Sequence, residues 1–184
     1  MAGTMTNPPE LSRIVRIDSI GDAPLDMRIT AEPTEREALA RRFGLSAVES
    51  LDAELQYHRE GTAVFASGRL RAKVVQTCVA SGVPLPVTVD EPFRLRFRPE
   101  GEVEAAGEEV ELSADDCDDI GYEGGAVDLG EAVAETLLLG LDPFPRAPNA
   151  DEVLRSAGVL SEGEAGPFAE LKALRDKLSG KGKE

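Results

Sequence analysis

The stretch "PFRLRFRPE" (residues 92–100) decides the fold class. Read with a period of two, Phe93, Leu95 and Phe97 point one way and Arg94, Arg96 and Arg98 the other. Upstream, "GRLRAKVV" (residues 68–75) repeats the pattern, with Leu70, Ala72 and Val74 against Arg69, Arg71 and Lys73. Such alternation belongs to strands with one face in a core and the other in water. The two segments extend to about 63–78 and 84–98 and are joined by "VASGV", a hairpin signal with Gly82 in the turn. Pro84, Pro86 and Pro92 cannot donate to a ladder, so the second strand is expected to have an edge or a bulge there.

Register follows from which faces are buried together. The apolar set is even-numbered on the first strand (Ala66, Leu70, Ala72, Val74, Cys78) and odd-numbered on the second (Leu85, Val87, Val89, Phe93, Leu95, Phe97). Facing partners then sum to an odd number. This brings Arg69, Arg71 and Lys73 onto one face with Arg94, Arg96 and Arg98, with Asp90 close to Lys73. A bulge at Pro92 would break that parity. Like charges across a ladder cost a few tenths of a kcal/mol, up to ~1, so something must offset the arrangement.

The chain is otherwise acidic, with 35 Asp and Glu against 20 Lys and Arg and a net charge of -15. Residues 61–99 hold six bases and two acids, and residues 100–135 hold 14 acids and no base. The molecule is therefore charge-patterned, a basic strip followed by an acidic arm. Net acidity argues against non-specific nucleic-acid binding by the whole molecule and suits a basic partner. No apolar run approaches the length of a membrane span. The start lacks the basic and apolar regions of a secretory signal. Cys78 and Cys117 are expected to be reduced thiols in a cytoplasmic protein.

The 184 residues suit one α+β domain over 11–146, after a disordered N-terminus at 1–10. "LSRIVRIDSI" (11–20) reads as a strand. "EPTEREALARRFGL" (32–45) reads as a short helix with a Thr34–Glu37 capping box and Gly44 just past its end. "VESLDAELQYH" (48–58) alternates as a half-buried strand, with the lone His58 on its polar face. Residues 100–121 form an acidic connection, in which "EEVEL" (108–112) allows a short strand. Asp128 with Glu131 caps a core helix over 129–141, with Val133, Leu137 and Leu141 at helical spacing and Asp142-Pro143 as its stop. Residues 147–166 read as linker. Residues 167–178 read as an amphipathic C-terminal helix with Phe168, Leu171, Leu174 and Leu178 on one face and a basic tail.

Little in the sequence supports catalysis. There is one His, no spaced Cys/His cluster and no Gly-rich phosphate loop. "DDCDDIGYEGGAV" (115–127) fails as a calcium loop, because Ile120 and Val127 fall at ligand positions. "CVAS" (78–81) has the spacing of a Cys-x-x-Cys whose second thiol is Ser81, too few ligands for zinc. Cys117 among aspartates would have a raised pKa and be a poor nucleophile. No catalytic residue, metal or cofactor is expected.

The order of pieces resembles the YceD-like family of large ribosomal RNA subunit accumulation proteins, long a domain of unknown function, and in particular its alphaproteobacterial branch. The similarity lies in "ASGRLRAKVVQTCVASGVPLPVTVDEPFRLRFRPE", an acidic stretch, "AVDLGEAVAETLLLGLDPFPRAPNA" and a terminal "PFAELKAL". It covers roughly residues 11–178. It is most specific at Gln76-Thr77-Cys78 and in the helix from Asp128-Leu129-Gly130-Glu131 to Leu141-Asp142-Pro143. The resemblance implies an α+β fold on an antiparallel, barrel-like sheet. It also implies a cytoplasmic, non-enzymatic factor needed for normal levels of large-subunit ribosomal RNA, and it carries over no catalytic residue. Many relatives have a second cysteine where this chain has Ser81.

Two readings of function follow. In the first, Arg69, Arg71, Lys73, Arg94, Arg96 and Arg98 contact pre-ribosomal RNA, while the acidic arm (Glu108, Glu109, Glu111, Asp115, Asp116, Asp118, Asp119) engages a basic ribosomal protein. In the second, the chain is an acidic chaperone or adaptor for such a protein, without RNA contact. Against both stands a self-compensating molecule, whose acidic arm folds over its own basic strip.

Overall fold

The computed structural model describes residues 9–101 and 118–159. These form two compact units, 9–76 with 86–143 and 77–85 with 144–159.

The first unit is built on a five-stranded sheet in the order β2-β3-β4-β5-β6. Its strands are β2 (Leu25–Thr30), β3 (Ala47–Glu60), β4 (Ala63–Thr77), β5 (Pro84–Pro99) and β6 (Asp118–Tyr122). β2, β3 and β4 are antiparallel neighbours. β6 runs parallel to β5, with Leu95 opposite Asp118 and Pro99 opposite Tyr122. A separate two-stranded antiparallel sheet joins β1 (Ile14–Arg16) to β7 (Ala126–Asp128). The fold class is α+β and mostly antiparallel, as expected. The barrel-like expectation fails, because β2 and β6 are the ends of an open sheet. The strand expected over 11–20 is diverted from it. Only Ile14–Arg16 is extended, it pairs with β7, and a 3₁₀ turn follows at Ile17–Ser19.

Parity along the strands holds. On β4, Val64, Ala66, Leu70, Ala72 and Val74 are buried, and on β5 Val89, Phe93, Leu95 and Phe97 are buried. Pro92 therefore does not flip the faces. β6 pairs only with Leu95–Pro99 of β5. Pro84, Pro86 and Pro92 all precede the part of β5 that pairs with β6, which begins at Leu95. Residues 48–58 fall within β3, which alternates as read from Leu51 to Tyr57 and has a bulge between Val48 and Ser50 that resets its parity.

The inner face packs with α1 (Pro33–Phe43) and α2 (Leu129–Leu139) into one apolar core. Leu39 of α1, Leu51, Leu70 and Val74 of the sheet, and Leu129, Val133 and Leu137 of α2 are almost fully enclosed. α1 starts one residue before Thr34. Pro33 suits the first helical position, where its fixed φ helps and its missing N–H is not needed. The capping box therefore uses Glu32 and Glu35, not Thr34 and Glu37, and the Glu32 N–H donates to Glu35 Oε2 at 2.8 Å. Gly44 closes the helix at φ 65°, the left-handed conformation expected there. α2 ends at Leu139, before Asp142-Pro143.

The second unit is small. Cys78, Ala147 and Ala150 form its buried centre, with Ala80 and Leu85 against them. Gly82 makes the turn at φ 72°. A helix, α3 (Ala150–Ser156), occupies part of the segment read as linker. The C-terminal helix expected at 167–178 and the short strand expected at 108–112 lie outside the described residues.

Candidate nucleic-acid interface

The six predicted cations share one solvent face. Arg69, Arg71 and Lys73 are exposed on β4, Arg94 is exposed on β5, and Arg96 and Arg98 are half-buried beside it. The structure supplies what offsets their mutual repulsion. Asp90, on β5 itself, accepts from Arg69 Nη1 at 2.6 Å and lies 3.7 Å from Arg71 Nε. The sequence reading put Asp90 near Lys73; it is Arg69 and Arg71 that it takes. Across β5, Asp119 of β6 accepts from Arg96 through Nε at 2.5 Å and Nη2 at 2.8 Å, and Arg98 Nη1 lies 3.4 Å away. These arginines hold both carboxyls below the usual range, Arg69 chiefly for Asp90 and Arg96 chiefly for Asp119.

A second acidic row flanks β4 on its other side. The register of β3 sets Glu54 opposite Arg69, Asp52 opposite Arg71, and Ser50 opposite Lys73. Beyond it, Arg28 of β2 stands opposite Glu54, 3.7 Å from that carboxylate and 3.9 Å from Asp52. Gln56 Nε2 donates to Asp26 at 2.8 Å. The outer face is therefore striped. The cations of β4 and β5 sit between carboxylates of β3 and β6, with Asp90 set among them. Opposite-charge cross-strand pairs contribute roughly 0.2–1 kcal/mol each, enough to offset like-charge pairs of the same size. The alternation of "LDAEL" (51–55) carried this signal, but only strand order shows that it lies beside Arg69 and Arg71.

Of the acidic candidates, Glu108, Glu109, Glu111, Asp115 and Asp116 lie outside the described residues. Asp118 is exposed at the start of β6. Asp119 is exposed on the same outer face, where its carboxylate is tied to Arg96 and Arg98. At this point the acidic segment does fold onto the basic strip.

Two further clusters hold the first unit together. Asp128 caps α2 by accepting from the Gly130 and Glu131 N–H groups, and it also accepts from Ser12 Oγ at 2.5 Å and the Arg13 N–H at 2.7 Å. Glu131 does not complete the cap. It accepts two bonds from Arg42 of α1, which also reaches Glu10. Arg13 pairs twice with Glu35, holding that carboxyl below its usual range.

The segments with the most specific resemblance make internal hydrogen bonds. Gln76, buried and polar, donates from Nε2 to the Asp142 carbonyl at 2.8 Å. In the second unit, the Ala147 N–H donates to Cys78 Sγ at 3.2 Å, and the Val79 N–H donates to the Pro145 carbonyl. The Ser81 hydroxyl foremost, and then the Ala147 N–H, favour the Cys78 thiolate; burial opposes them, and the thiol is lowered to about 6. With Cys78 almost fully enclosed, this polarised sulfur acts as a hydrogen-bond acceptor in a small core. Cys117 lies outside the described residues.

His58 lies on the outer face, as expected, with Nε2 3.2 Å from Glu60 Oε1. It stacks on Phe65, ring centroids 5.5 Å apart and planes 18° from parallel, a pairing the sequence reading missed.

Among the described residues no helix is long and apolar enough to cross a membrane. Residues 66–175 match the family model described as large ribosomal RNA subunit accumulation protein YceD. The chain belongs to that family, whose name places it in the accumulation of large-subunit ribosomal RNA. No curated protein and no solved structure matches it.

Proposed function

We propose that this protein is a non-enzymatic, cytoplasmic factor that supports accumulation of large-subunit ribosomal RNA by binding pre-ribosomal RNA through the outer face of its sheet. The observation that carries this reading is the cofacial placement of Arg69, Arg71 and Lys73 with Arg94, Arg96 and Arg98 on a solvent face. Their ion pairs with Asp90 and Asp119 are surface pairs, worth at most about 1 kcal/mol each. A phosphate backbone offers a dense array of competing acceptors and gains the release of its own counterions. RNA would therefore exchange with the carboxylates, which hold the arginines extended until it arrives. The same carboxylates suppress loose binding to any polyanion and confine strong attachment to a surface that matches the stripe.

Changing Arg94, Arg96 and Arg98 together to Ser leaves the buried residues of β5 untouched. The variant should remain folded and should leave large-subunit precursors at lower salt than the parent in co-sedimentation. Undiminished co-sedimentation of the folded variant would sink direct contact through this face. Retention of a basic ribosomal protein with no RNA bound would favour the chaperone reading instead.

A further inference from the structure

Of the six Phe residues, Phe93 and Phe97 line the inner face of the sheet, whereas Phe65 points outward with the basic row. Along β4 the outward residues run Phe65, Ser67, Arg69, Arg71 and Lys73. His58 stands directly opposite Phe65 on β3, and the two rings stack. Glu60 holds the edge of the imidazole through Nε2. The His58 side chain remains 31% exposed. An aromatic stack on a water-facing sheet is thus continued by three cations, with Phe65 and Arg69 roughly 13 Å apart along the strand.

We propose that the His58–Phe65 pair is a stacking platform for an unpaired base of single-stranded RNA, with Arg69, Arg71 and Lys73 taking the adjoining phosphates. This deepens the reading above and rests on it. Single strands are held by this combination of a cationic track and aromatic rings, because every base has a π-face and an exposed base can leave its neighbours to stack. A duplex hides its bases and would meet only the cations. The occupant is RNA rather than an apolar peptide because the platform opens onto positive charge.

The test uses the full chain and two fluorescent oligomers of about ten nucleotides, a site size typical of such surfaces. One is oligoadenosine and the other is an abasic ribose-phosphate strand of the same length. The parent should bind oligoadenosine about tenfold more tightly than the abasic strand. Phe65→Leu and His58→Leu, made separately, should each erase that ratio while leaving abasic affinity and its salt dependence unchanged. His58 is the single histidine, so its ring protons report directly and should shift with oligoadenosine and not with the abasic strand. Equal, salt-dependent binding of both strands with unmoved His58 signals would overturn the platform and leave the RNA reading standing. Failure to bind either strand would overturn the platform, while the RNA reading is decided separately by co-sedimentation of the Arg94, Arg96 and Arg98 variant with large-subunit precursors.

Discussion

Asp128 shows how much one side chain can hold. It caps α2, and it also fixes Ser12 and the Arg13 backbone, so it joins the N-terminal segment to the core helix. Asp128→Ala should cost about 2 kcal/mol, the upper end for a lost cap, read as a lowered urea midpoint. Its role as a cap was legible from Asp128-Leu129-Gly130-Glu131; its hold on Ser12 and Arg13, more than a hundred residues away, was not. Asp119 carries a pH signature. Its folded pKa is depressed by Arg96 and then Arg98. Its contribution is therefore complete above the unfolded value of ~3.9 and is lost as pH falls through the lower folded value. The stability difference between the parent and Asp119→Asn should be constant from neutrality to about pH 5 and shrink below about pH 4. Urea titrations across that range measure it.

At the scale of elements, the long strands were legible because period-two alternation runs through β4 and β5 and through β3 from Leu51 to Tyr57. The short strands were not. β2, β6 and β7 offer few apolar positions each, and β6 lies in a segment whose charge reads as solvated connection. Strand order, which brings Asp52, Glu54 and Asp119 to the cations, is a long-range property that no local pattern encodes. Gly68 marks another such constraint. A Cβ there would come within 2.3 Å of the Glu54 carbonyl and 2.7 Å of Leu55 on the neighbouring strand. Gly68→Ala should therefore destabilise by about 1–3 kcal/mol, the usual range for overpacking, where an exposed strand glycine would ordinarily gain. Chemical denaturation of the variant gives the sign. Gly130 is confined similarly, since its Cβ would meet the Arg13 nitrogen at 2.7 Å and the Leu11 carbonyl at 2.8 Å.

For the molecule as a whole, a net charge of -15 and a basic strip are compatible because the charges are sorted by strand. The sequence located the cations and the acidic excess. Asp90 was placed near them by parity; that Asp119, Asp52 and Glu54 flank them emerged only with the sheet. The central claim is that these cations are held by Asp90 and Asp119 and are exchanged to RNA phosphates. The most direct measurement is the salt dependence of binding to large-subunit ribosomal RNA, comparing the parent with Asp90→Asn/Asp119→Asn. The double variant should bind more tightly at low salt, with a log–log slope steeper by roughly 0.7–0.9 for each cation released to a phosphate. Equal affinity and equal slope for the two proteins would contradict the account.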